Sequence, residues 1–146
     1  VAIALTHRER FQTVVLVGVV GLVTALTFVS LLLVLSMLSL RVSQLRLRHR
    51  VSYGDGGHKD LLLAVRAHGN GLEQSLLYTV LLLAHAQAAP DGDAWVAAAN
   101  LAFVIARVVQ PLALFTRQLR LRQLAHVVSL ALQWVVAVRL LTAATA

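Results

Sequence analysis

Arg66, Asn70 and Glu73 open a segment that is otherwise apolar as far as Ala89. At about 100° per residue these i, i+4 and i+7 positions share one helix face, with Gln74 at its edge and His68 turned away. A cation, an amide and a carboxylate on one stripe of a lipid-length helix are costly. They persist where they pair with each other, line a wet cavity, hold a ligand or staple neighbouring helices together. The spacing leaves these uses open.

Two further stripes have the same character. Asn100, Phe103, Arg107 and Leu114 fall on one face of a helix with Gln110 at its margin, and Pro111 predicts a kink there. An Arg at position 107 can face the bundle or snorkel to headgroups. Arg122, His126, Ser129 and Gln133 follow one line at i, i+4, i+7 and i+11, a pattern suited to interhelical hydrogen bonds.

The elements that must carry these stripes are membrane helices. The 146 residues are 59% hydrophobic and 13% charged, against about a quarter charged in an average soluble domain, and mean hydropathy is +0.80. We expect an all-α, integral membrane four-helix bundle, one domain over 1–146, with transmembrane helices at about 12–40, 61–89, 94–115 and 123–141. Val1 to Arg10 reads as a short polar lead-in. The uncharged run from Val14 to Leu40 is longer than the ~30 Å hydrocarbon core requires, so the first helix should tilt or project. It is also too long for a signal-peptide core. Gly18 and Gly21 read as sites of close helix packing. Asp60 and Asp93 are expected to cap the second and third helices, and Trp95 sits where an interfacial aromatic belongs.

Charge excludes some functions and orients the chain. No Cys is present, so disulfides, thiolate metal sites and a Cys nucleophile are absent from this sequence. The formal charge of +7 comes largely from short basic loops, which topology explains better than nucleic-acid binding does. Tyr53-Gly54-Asp55-Gly56-Gly57 makes a turn, not a phosphate loop, since GxxxxGK[ST] is missing. The loops after the first and third helices hold the Arg clusters, and the second holds Asp91 and Asp93. The positive-inside rule then puts loops 1 and 3 in the cytoplasm and both termini outside. The polar start of the second helix, Arg107 and the Arg117–Arg122 loop would gather at the cytoplasmic end as one site. Twelve Arg against a single Lys suggest a GC-rich bacterial source, and hence a bacterial inner membrane.

Val51-Ser52-Tyr53-Gly54-Asp55-Gly56-Gly57 followed by Arg66-Ala67-His68-Gly69-Asn70-Gly71-Leu72-Glu73 resembles the MAPEG family, the membrane-associated proteins of eicosanoid and glutathione metabolism, and especially its bacterial branch. The resemblance implies a homotrimer of four-helix subunits that binds glutathione between neighbours. By that resemblance Arg66, Asn70 and Glu73 match the glutathione-holding residues, and His68 a polar position beside them. Arg107 resembles the family's third-helix Arg, and Gln110 lies on the same wall. Arg46 or Arg48, and Arg120 or Arg122, would supply the catalytic guanidinium groups that activate the thiol. Where conjugating members carry an aromatic after the Glu and Tyr or His on the third helix, this chain has Gln74, Gln110 and Leu114.

The implied function is a glutathione-dependent transferase or peroxidase, with glutathione as co-substrate and a lipophilic electrophile arriving through membrane lipid. Arg66 and Arg107 offer planar donors for carboxylates, Glu73 an acceptor for an ammonium, and Asn70 an amide for peptide groups. A guanidinium near the sulfur favours the thiolate. No carboxylate dyad, Ser/His/Asp set or metal cluster competes; His68, His85 and His126 fall on different helices or faces. The alternative is a non-catalytic lipid-binding, scaffold or small-subunit protein. A transporter would need an inverted repeat or broken helix pair, which this chain lacks.

Overall fold

The computed structural model describes residues 7–145. Four helices account for nearly all of them: α1 (His7–His49), α2 (Lys59–Ala88), α3 (Ala94–Phe115) and α4 (Leu119–Ala144). No strand occurs among the described residues. The lead-in residues 1–6 and Ala146 lie outside them.

α1, α3 and α4 are long and apolar enough to cross a membrane. α2 has 30 residues but is too polar to meet the same criterion, so three of the four expected spans are supported by length and composition. Arg66, His68, Asn70 and Glu73 occupy its first half, and Gln74, His85 and Gln87 interrupt the second. The third helix matches its expected limits. α1 runs nine residues past Leu40, and at 43 residues it extends about 64 Å, so it projects beyond a bilayer. Arg46 and Arg48 therefore sit in its last turns, not in a loop. Arg120 and Arg122 likewise belong to the first turns of α4, because only residues 116–118 separate α3 from α4.

α1 packs against α2 and α3, α4 packs against α3 and α2, and α2 also touches α3; α1 and α4 do not meet. The bundle is thus a four-cornered array with α1 and α4 on one diagonal. α1 ends, α2 begins, α3 ends and α4 begins at one extremity, called here the basic end. Asp93 marks the other.

The core is layered along this axis. Tyr78, Phe103, Leu31, Leu82, Val96 and Val136 form its largest cluster. Leu38, Ala67 and Leu114 come next, then Leu45, Leu61 and Ala64 at the basic end. Close approach of α1 to α2 occurs at Gly71, where a Cβ would stand 3.3 Å from Leu35 and 3.5 Å from Leu38. Gly18 and Gly21, expected to pack closely, have nothing within 4 Å of a built Cβ. Rows of exposed Leu and Val cover the outer faces, as a lipid-facing surface requires.

The caps follow chemistry only partly as expected. Asp93 caps α3 by accepting the Trp95 N–H at 2.9 Å. Asp60 is not the cap of α2: His58 takes that place, while Asp60 accepts from Leu61 N–H and meets His49 Nε2 at 2.9 Å. The glycine turn is realised with positive φ at Gly54, Gly56 and Gly57.

Candidate functional site

Hydrogen-bonding side chains run down the inside of the bundle from the basic end. Arg107, only 2% exposed, reaches from α3 to both neighbours. Its Nη1 donates to Asn70 Oδ1 on α2 at 3.3 Å, and its Nη2 donates to Ser129 Oγ on α4. The Ser129 hydroxyl in turn donates to the Ala125 carbonyl one turn back at 2.8 Å. The guanidinium carbon lies 5.5 Å from the Phe103 ring centroid, within cation–π range. Arg107 Nε has no acceptor, and no carboxylate pairs with this cation among the described residues. Arg107 thus faces the bundle; it does not snorkel.

One turn deeper, Gln133 Nε2 donates to the Gln74 side-chain oxygen at 3.1 Å and to its backbone carbonyl at 3.2 Å. Below that, Tyr78 Oη donates to Asn100 Oδ1 at 3.0 Å, and Asn100 Nδ2 donates to Thr24 Oγ1 at 3.1 Å. Tyr78 stacks on Phe103 with ring centroids 3.7 Å apart. At the far end, Arg139 Nε donates to Asp93 Oδ2 at 2.6 Å, with His85 Nε2 3.5 Å from the same oxygen. Burial alone would raise the Asp93 carboxyl, yet the Arg139 hydrogen bond and the helix-capping N–H groups outweigh it and hold it below the usual range. At the basic end, the His49 hydrogen bond lowers Asp60.

The stripe on α2 is divided by this arrangement. Asn70 is half-buried and turns inward to Arg107, whereas Arg66 and Glu73 are exposed. They share one face, as their spacing predicts, and neither finds a hydrogen bond or ion pair among the described residues. His68 is half-buried on another side of the helix. Gln110 is buried beside Arg107's turn, and Leu114 belongs to the Leu38–Ala67 cluster.

The expected single pocket is therefore not assembled within one chain. Arg46 and Arg48 stand on α1, and Arg120 and Arg122 on α4, helices that do not touch. Arg46 Nη1 donates to the Ser52 carbonyl at 3.0 Å, tying the end of α1 to the glycine turn. Arg48, Arg120 and Arg122 are exposed.

Three features escape sequence reading. The Asp93–Arg139 pair and the Tyr78–Asn100–Thr24 chain each join helices far apart in sequence. Their signal was present in isolated polar residues on apolar helices, but which partner each finds depends on helix order in space. The third is His49, His58 and Asp60, whose ligand atoms lie within 4.8 Å of one another, the one group among the described residues able to gather around a metal. The two imidazoles are stacked, centroids 3.9 Å apart and planes 14° from parallel. In-plane lone pairs on parallel rings do not converge, so a shared ion would require one ring to turn.

Comparison with known proteins agrees with the helical scaffold. The model of the MAPEG family matches residues 24–142. Inner membrane protein YecN of Escherichia coli, in strain K12 and in strain O6:H1, is 44% identical over 62 residues, covering 42% of this chain and 47% of the relative. The chain thus spans about half the length of the curated relatives it matches. No solved structure is matched. A family match extending from within α1 to the last turn of α4 takes in part or all of every helix and each polar layer just described, and this chain belongs to the MAPEG family.

Proposed function

We propose that the protein is an inner-membrane enzyme that binds glutathione between identical subunits, as a homotrimer, and activates its thiol for attack on a lipophilic electrophile or peroxide. The observation that carries this reading is the unpaired Arg66 and Glu73 on the outer side of α2. A cation and an anion facing outward from an apolar bundle are stable only where something outside the chain satisfies them. A zwitterionic peptide with two carboxylates and an ammonium does so. A neighbouring subunit would bring α1 and α4 arginines together where one chain keeps them apart.

In this reading Arg66 holds a carboxylate through its planar donors and Glu73 receives the ammonium. Arg107, fixed from behind by Ser129, holds Asn70 in place for the peptide groups. His68 and Gln110 complete the polar wall. Arg46 or Arg48 of one subunit and Arg120 or Arg122 of the next stabilise the thiolate. The thiol proton leaves to water, the sulfur lone pair forms the bond to the electrophilic carbon, and the leaving group departs with its electron pair.

Conjugation of a chromogenic electrophile by the full chain in liposomes tests this, alongside glutathione titration by calorimetry. Thiol-dependent turnover that disappears in Arg66→Ala, with assembly intact, is the expected result. Neither turnover nor glutathione binding in the wild type overturns it.

A second reading, a non-catalytic lipid-binding or scaffold member, draws on Gln74 and Leu114. Both are buried and engaged within the bundle, so neither offers the tripeptide a stacking or phenolic contact. Copurification with a stable membrane partner, and thermal stability indifferent to glutathione, would favour it.

A further inference from the structure

At the basic end, a cavity of about 410 Å³ lined by none of the residues assigned to the thiol site opens where α1, α2 and α3 meet. Arg41, Lys59 and Arg117 line it, together with the apolar Leu45, Leu63 and Phe115. None of the three cations has a hydrogen-bond or carboxylate partner among the described residues. The one acid in the wall, Asp60, has both oxygens committed, to Leu61 N–H and to His49.

Phe115 also lines a second cavity, of about 270 Å³, between α1 and α3. Its walls are wholly apolar, among them Val34, Leu38, Val108, Pro111 and Leu112. A triply cationic cavity and a hydrocarbon groove thus lie next to each other, with Phe115 in the wall of both.

Arg117 bears on this arrangement. α3 ends with Gln118 N–H bonded to the Ala113 carbonyl at 2.8 Å and Arg117 N–H to the Leu114 carbonyl at 3.2 Å, a Schellman closure that places residue 117 at φ 59°. Glycine is the residue this position favours, because a Cβ crowds the backbone at positive φ. The chain keeps an arginine where its backbone would prefer none.

We propose that the cationic cavity and the apolar groove together hold one anionic phospholipid, its phosphate among Arg41, Lys59 and Arg117 and one acyl chain along α1 and α3. The cations match a phosphate diester with no compensating ammonium, and the groove matches a chain that lies against the helices. A free phosphate shares the headgroup chemistry but leaves the groove unused.

The test is native mass spectrometry of the full chain in detergent, titrated with phosphatidylglycerol or with phosphatidylcholine of the same acyl chains, and thermal unfolding with inorganic phosphate. Phosphatidylglycerol is expected to bind about tenfold more tightly than phosphatidylcholine. The preference should vanish in Arg41→Gln/Arg117→Gly, and inorganic phosphate should leave the melting temperature unmoved. Arg117→Gly alone suits the backbone, so it folds and should reduce the preference about fivefold. Equal binding of the two lipids by the wild type, an unchanged preference in Arg117→Gly, or a full stabilising shift from inorganic phosphate would each overturn the proposal. None of these outcomes depends on glutathione.

Discussion

α2 carries polar side chains on two of its long edges, and the edges have opposite fates. On the inner edge Gln74 and Tyr78 are buried and each is hydrogen-bonded to another helix. About a quarter turn away, Arg66 and Glu73 are exposed and have no partner in the described chain. An unsatisfied polar group is costly wherever it meets hydrocarbon. The inner edge is completed by the chain itself and is structural. The outer edge has no partner among the described residues, and it is the edge on which the proposed glutathione site rests.

Mutations separate the two edges by size of effect. Tyr78→Ala should cost the most, about 3–4 kcal/mol of stability, because it removes a fully buried ring stacked on Phe103 and strands Asn100. Thermal unfolding in detergent measures this, and a loss below about 1 kcal/mol would deny the inner edge its structural role. Gln133→Leu should cost about 1–2 kcal/mol by leaving Gln74 unpaired, and adding Gln74→Leu should recover most of that, since an apolar pair in a membrane core has nothing to satisfy. A double variant that sums the two losses would instead mark the amides as individually necessary.

At the Asp93 end, stability should depend on pH. The folded carboxyl is held below its unfolded value, so the unfolded chain binds more protons as the medium acidifies. The contribution is fully present above about pH 4 and disappears as pH falls through the depressed folded value. With the Arg139 side chain 44% exposed, solvent screening limits it to about 1 kcal/mol. Asp93→Asn, which retains the cap but not the charge, should flatten that acid limb of the unfolding profile. The outer edge should behave in the opposite way: Arg66→Ala and Glu73→Ala break no contact within the subunit, so neither should lower its stability, while each should remove the proposed glutathione binding. Equal damage to stability on both edges would erase the distinction.

Much of this was readable along the chain. The uncharged run from Val14 to Leu40 requires a membrane-length helix whatever surrounds it, because hydrocarbon transfer and backbone hydrogen bonding are local properties. Asp93 before Trp95 specifies a cap for the same reason, as do the glycines of the first turn with their positive φ. The motif from Val51 through Glu73 pointed to the family, and the shared face of Arg66 and Glu73 follows from helix period alone. Helix order around the bundle was not readable, and it decided the rest. Packing put α1 and α4 on opposite corners, turned Asn70 toward Arg107 while leaving Arg66 outside, and matched Gln74 to Gln133 and Asp93 to Arg139. Such pairings join residues dozens of positions apart, and periodicity gives the direction of a side chain about its own axis but not the neighbour it will meet.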